Sequence, residues 1–201
     1  HGAAAGLSLV PAWTAEGKLL DANLGTAVGT AGDVDGDGYA EVIVGATGYT
    51  NGESEEGAAF VFQGSAQGLA PASVWSAEGN QAEAYLGSAV GTAGDVNGDG
   101  YSDILVGAYG YDNGQLEEGR AFAFYGSASG LSSAPDWDAE GNQADARFAT
   151  ALGTASDHER VPVYDGNLDN VVGIVNIRDL VREKYYGEGV ASLRDIVQPT
   201  L

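Results

Sequence analysis

Leu24-Gly25-Thr26-Ala27-Val28-Gly29-Thr30-Ala31-Gly32-Asp33-Val34 returns almost unchanged as Leu86-Gly87-Ser88-Ala89-Val90-Gly91-Thr92-Ala93-Gly94-Asp95-Val96. The offset is 62 residues and no gap interrupts it. The same step relates Trp13, Trp75 and Trp137, then Gly6-Leu7, Gly68-Leu69 and Gly130-Leu131, then Ala15-Glu16-Gly17, Ala77-Glu78-Gly79 and Ala139-Glu140-Gly141. A fixed period of this length marks stacked structural units, each burying its apolar face against its neighbours. Around the quoted stretch, Glu41–Gly45 and Asp103–Gly107 are short apolar runs suited to strands buried on both faces. Ala58–Phe62 and Arg120–Tyr125 read as further strands, and Asn51-Gly52 and Asn113-Gly114 between them as hairpin turns. About four strands fit in each unit, the content of a propeller blade. The tryptophans read as anchors for packing between blades rather than as ligand platforms.

Directly after each Gly-rich strand comes a dense run of acids. Asp33-Val34-Asp35-Gly36-Asp37-Gly38-Tyr39-Ala40-Glu41 and Asp95-Val96-Asn97-Gly98-Asp99-Gly100-Tyr101-Ser102-Asp103 share the pattern D-x-[DN]-x-D-G-x-x-[DE]. Calcium is a hard ion that takes about six to eight oxygens at roughly 2.3–2.6 Å. Alternating carboxylate and amide side chains on a tight loop supply them, and glycine permits the sharp turn. An EF-hand would need Glu at the twelfth position and flanking helices. Val44 and Val106 stand there, inside expected strands, so that reading fails. Magnesium is disfavoured because it prefers rigid octahedral sites that keep several waters. Without a cation, Asp33, Asp35, Asp37 and Glu41 would crowd four negative charges into nine residues.

A Gly-rich strand, an acidic loop and then Val42-Ile43-Val44-Gly45-Ala46 resembles the FG-GAP repeat of integrin α chains and related bacterial surface proteins. Leu24-Gly25 and Leu86-Gly87 stand where that family has Phe-Gly, and Gly45-Ala46-Thr47 and Gly107-Ala108-Tyr109 where it has Gly-Ala-Pro. The likeness covers residues 6–157. It implies an all-β fold of β-propeller-type blades, with two full units (24–85 and 86–147) and half-units at each end of a region spanning 1–157. It also implies two calcium sites. The ligands carried over are Asp33, Asp35, Asp37, Tyr39 and Glu41, and Asp95, Asn97, Asp99, Tyr101 and Asp103, with the tyrosines giving only carbonyls.

The repeat ends abruptly. Asp157 keeps the register, but His158-Glu159-Arg160-Val161-Pro162 replaces the loop, and Asp157 alone is expected to bind no metal. Residues 1–157 hold 22 acidic and 3 basic residues, whereas 158–201 hold 7 and 5. The segment from Arg160 to Val181 is similar to the second half of a CBS domain of haemolysin-like proteins. That likeness implies a small α/β tail of strand, strand and helix over 158–201, with strands at Val161–Tyr164 and Val171–Ile177. Asn176 stands where a complete domain of that kind has the hydroxyl that helps bind adenosine, which speaks against nucleotide binding.

The charge balance narrows the function classes. With 29 acidic against 8 basic residues and a formal charge of −21, the chain would be repelled by nucleic acid and by anionic membranes. There is no cysteine, which excludes disulfides and thiolate chemistry. No apolar run approaches the roughly 18 residues of a membrane span. The histidines, His1 and His158, sit beside no nucleophile motif, and the acid pairs Glu55-Glu56 and Glu117-Glu118 recur at the repeat offset, which suits structure better than a unique active site. No catalytic residues are expected, and the chain is not read as an enzyme. The expected function is that of an extracellular or cell-surface calcium-binding repeat protein, an adhesion, ligand-binding or structural module. Its partners would be a protein or glycan ligand, or copies of itself joined head to tail. The alternatives are a self-assembling subunit of a surface fibre or sheath, and a non-catalytic propeller fragment of a larger secreted enzyme.

Overall fold

The computed structural model describes residues 2–3, 6–7, 10–17, 19–152, 160–164 and 171–176. A short antiparallel ribbon, β1 (Gly2–Ala3) with β2 (Gly6–Leu7), comes first. Two four-stranded antiparallel sheets follow. One contains β3 (Leu24–Gly32), β4 (Glu41–Ala46), β5 (Ala58–Phe62) and β6 (Trp75–Glu78) in sequential order. The other contains β7 (Leu86–Gly94), β8 (Asp103–Ala108), β9 (Arg120–Phe124) and β10 (Trp137–Glu140) in the same order. Each sheet lies within one 62-residue unit and has the meander of a propeller blade.

Strand composition follows from position in the stack. All six residues of β8 are buried, as its Ile-Leu-Val run requires for a strand covered on both faces. Ile104, Val106 and Ala108 face the first blade, joining Ala31, Ile43, Ala59 and Val61 in one core. Leu105 points the other way, into a second core with Ala121, Ala123, Trp137 and Ala149. The innermost strands differ in the same sense. Val90 on β7, between the blades, is 7% exposed, whereas its counterpart Val28 on β3 is 63% exposed.

Glycine sets the spacing between blades. A β-carbon on Gly29 would meet the carbonyl oxygen of Val90 at 3.1 Å, and one on Gly45 would fall on the backbone of Gly87. Backbones approach this closely only where side chains are missing.

The tryptophans reach across the units. Trp13 packs edge-on against Phe62, with ring centroids 4.9 Å apart, and its indole N–H donates to the Ala70 carbonyl at 2.9 Å. Trp75, on the outer strand of the first blade, repeats the arrangement on the second, with Phe124 at 4.8 Å and the Ser132 carbonyl at 2.8 Å. Trp75→Phe keeps a ring against Phe124 and removes the donor. It is expected to cost about 1 kcal/mol, or about 2–4 °C in the midpoint of thermal unfolding, which calorimetry would measure.

Two expectations need correction or restriction. Asn51-Gly52 and Asn113-Gly114 are not two-residue hairpin turns. β4 and β5 close at the pair Ala46–Ala58, so residues 47–57 form a long loop with Asn-Gly in its middle. That loop is organised around a buried acid. The backbone N–H groups of Asn51 and Asn80 donate to the two oxygens of Glu56 at 2.6 and 3.1 Å. Beyond the blades, β11 (Arg160–Tyr164) and β12 (Val171–Asn176) pair antiparallel where two strands were expected. The expected helix after them, like Asp157 and His158, lies outside the described residues.

Candidate metal centre

Both acidic loops sit at the same place in their blades, joining the inner strand to the second one. In the first, the Oδ1 of Asp33 accepts the Gly36 N–H at 2.8 Å and its Oδ2 accepts the Gly38 N–H at 2.9 Å. Asp35 and Asp37 accept from the N–H groups of Asp37 and Tyr39. Gly36 and Gly38 hold φ of 75° and 89°, a left-handed backbone that glycine adopts without strain. The loop therefore curls around its first carboxylate and turns the next two inward. One oxygen from each of Asp33, Asp35 and Asp37 lies within 4.8 Å of the others. Two oxygens on opposite sides of a calcium shell are at most about 5 Å apart. The donor set is thus all oxygen and the span suits calcium.

The second loop repeats the pattern with one charge fewer. Asp95 accepts from Gly98 and Gly100 at 2.7 and 2.9 Å, and Asp99 from Tyr101 at 3.0 Å. Asn97 replaces the second carboxylate, and its amide donates to Asp99 Oδ2 at 2.9 Å.

The last acid of each motif is placed differently from the rest. Glu41 and Asp103 are buried, at 1% and 0% exposure, at the start of β4 and β8. The N–H groups of Val34 and Gly64 donate to the two oxygens of Glu41 at 2.8 and 3.2 Å. Those of Val96 and Gly126 donate to Asp103 at 2.8 and 2.9 Å. Each carboxylate thereby ties its acidic loop to the chain leaving the third strand of the blade, and each oxygen keeps a second lone pair. Burial raises the pKa of Glu41, opposed by its two N–H partners and reinforced by Asp35 and Asp37. Burial likewise pushes Asp103 up to about 6, opposed by Gly126 and Val96 and reinforced by Asp99 and Asp95.

A folded Asp103 retains its proton where the unfolded one, near 3.8, has lost it. Between about 4 and about 6 the native state binds more protons, so stability falls as pH rises through that window. In excess chelator, urea midpoints taken across the window should show this decline, and Asp103→Asn should lessen it, leaving the share that comes from Glu41.

Other polar residues of the loops were invisible to pattern reading. The Ser102 N–H donates to the Asp33 carbonyl at 2.9 Å, and the Ser127 N–H to the Val34 carbonyl at 3.1 Å, so the first loop is fastened to the second blade. Gln63, just past β5, donates its amide to Asp35 Oδ2 at 2.8 Å. Glu56 and Glu118, by contrast, announced themselves through the repeat offset, and both are buried at 1% exposure, accepting backbone N–H groups.

Comparison with known proteins bears on the repeat that carries these loops. Residues 24–62 and 86–124 match the FG-GAP repeat. Each FG-GAP match runs from the inner strand of a blade through its acidic loop to the end of its third strand. Integrin alpha-5 of Xenopus laevis is 33% identical over 116 residues, covering 56% of this chain and 11% of that protein. Phosphatidylinositol-glycan-specific phospholipase D of Mus musculus is 36% identical over 115 residues, covering 53% of this chain and 14% of that protein. Human integrin alpha-6 is 29% identical over 178 residues, 86% of this chain and 15% of that protein. The chain therefore spans a small part of the length of these relatives. The FG-GAP matches stop at residue 124, and the comparisons lend no support to a CBS-like tail. No helix among the described residues is long and apolar enough to cross a membrane.

Proposed function

We propose that this chain is an extracellular or cell-surface module whose two FG-GAP blades bind calcium and present their loops to a protein or glycan ligand, without catalytic chemistry of its own. The observation that carries the reading is the convergence of Asp33, Asp35 and Asp37 oxygens within 4.8 Å at the acidic loop of a matched repeat. Asp33, Asp35, Asp37, Glu41 and the Tyr39 carbonyl would hold one ion; Asp95, Asn97, Asp99, Asp103 and the Tyr101 carbonyl would hold the other. A bound divalent cation supplies charge neutralisation and crosslinks the loop. The remaining parts of the site belong to the chain: glycine turns aim the acids, and Glu41 and Asp103 anchor the loops to the blade. Residues 1–157 form the functional region in this reading, and 158–201 a separate tail.

A non-catalytic propeller piece of a larger secreted enzyme is a second reading, favoured by the match to the phospholipase D. Assembly of copies head to tail is favoured by Val28, which is exposed on β3 where Val90 is covered on β7.

Stabilisation by calcium should follow mass action, about 2.7 kcal/mol per site at a hundredfold excess over Kd. Thermal unfolding with calcium and with excess chelator measures it. Asp33→Ala and Asp95→Ala should each remove one site and leave the other. An unfolding midpoint that ignores both calcium and chelator would defeat the calcium assignment.

A further inference from the structure

We infer that Gln63 is an additional calcium ligand of the first loop, one that the second loop lacks. This rests on the calcium reading above and concerns a residue outside the acidic motif. Gln63 follows β5, whose last residue Phe62 pairs with Val42 just past the loop, so it reaches the loop from the neighbouring strand. Its amide terminus stands 2.8 Å from Asp35 Oδ2 and 3.5 Å from Asp37 Oδ2. Neighbouring oxygens in a calcium shell, each roughly 2.4 Å from the ion, lie about 2.8–3.5 Å apart. The amide thus occupies the position of a shell neighbour to two of the carboxylates that the loop turns inward.

With no cation between them, a carboxylate attracts the NH₂ end of an amide. With calcium there, a half-turn about the Cγ–Cδ bond presents the carbonyl oxygen at the same place, because the two ends of the amide are nearly isosteric. Room for that turn exists, since Gln63 lines a cavity of about 250 Å³ between the blades together with Asp35, Glu41, Val74, Trp75 and Leu131. The equivalent residue of the second unit is Tyr125. The first site then has four acids and an amide from outside the loop, and the second has three acids and Asn97. The first is the tighter of the two.

The test uses the full chain carrying Asp95→Ala, so that only the first loop binds. Europium luminescence lifetimes in H₂O and D₂O count the waters on the bound ion, and calorimetry gives the calcium affinity. Gln63→Ala is expected to add one bound water and weaken calcium binding roughly tenfold. Gln63→Glu, which keeps an oxygen at that place, should restore the count and the affinity. If Gln63→Ala weakens binding but leaves the water count unchanged, Gln63 acts only through Asp35 and the ligand assignment is overturned. An unchanged count with unchanged affinity overturns it as well. If the Asp95→Ala chain binds neither ion, the calcium reading of this loop fails together with the ligand assignment.

Discussion

Gly45→Ala is expected to force the two blades apart and destabilise the protein by about 3 kcal/mol or more. Gly45 lies in β4, where strand φ imposes no demand for glycine; the demand is steric. A β-carbon there would lie 2.8 Å from the carbonyl carbon of Gly87 and 3.1 Å from its Cα, and closer still to its oxygen. Every one of these atoms is backbone, so no side chain can swing away to make room. Gly87 itself is fixed, with φ of 85° and its own missing β-carbon directed at the Ala58 carbonyl oxygen. Relief requires β7 to move as a body away from β4, which opens the core shared by Ile43, Val61, Val90 and Ile104. Gly52→Ala is the control for composition. That residue sits in the open loop with nothing within 4 Å of a β-carbon, and only its φ of 118° opposes the change. Chemical denaturation should show a much larger loss for Gly45→Ala, and equal losses would refute the close-approach account.

Glu41→Ala is the second change expected to be severe, at about 3 kcal/mol or more in the absence of any metal. Truncation leaves the N–H groups of Val34 and Gly64 buried without their acceptor, at roughly 1–3 kcal/mol each. It also empties a fully buried side-chain volume. Glu41→Gln separates the two contributions. The amide fills the volume and retains one acceptor oxygen, but turns its NH₂ toward the second N–H. It should lie between wild type and Glu41→Ala in urea midpoint measured with chelator present. A Glu41→Ala midpoint equal to wild type would show that the carboxylate does not brace the loop.

The sequence made the blades legible because the repeat doubled every signal. β4 and β8 could be placed because a run such as Asp103-Ile104-Leu105-Val106 has no polar face, and the acidic loops because glycine and acid alternate in register. The loop over 47–57 misled because Asn-Gly is a strong local turn signal. A buried Glu56, which accepts an N–H from Asn80 in the following segment, overrides it. Side chains that meet the loops from elsewhere were not legible. Gln63 breaks the repeat, being matched by Tyr125, and its approach to Asp35 depends on the path of β5 rather than on spacing. Nor could pattern alone distinguish Glu41 from the other acids of its motif. It is set apart by the two N–H groups that converge on it only after the strands pair.

The tryptophan contacts bear on how such a chain comes apart. Phe62 and the Ala70 carbonyl receive their indole from Trp13, and Phe124 and the Ser132 carbonyl receive theirs from Trp75. The indole that completes each blade is therefore carried by the unit before it. The packing unit is thus offset from the sequence repeat and straddles its boundary, which couples each blade to its neighbour. Native-state hydrogen exchange should then register its highest protection in β8, the strand sheltered on both sides.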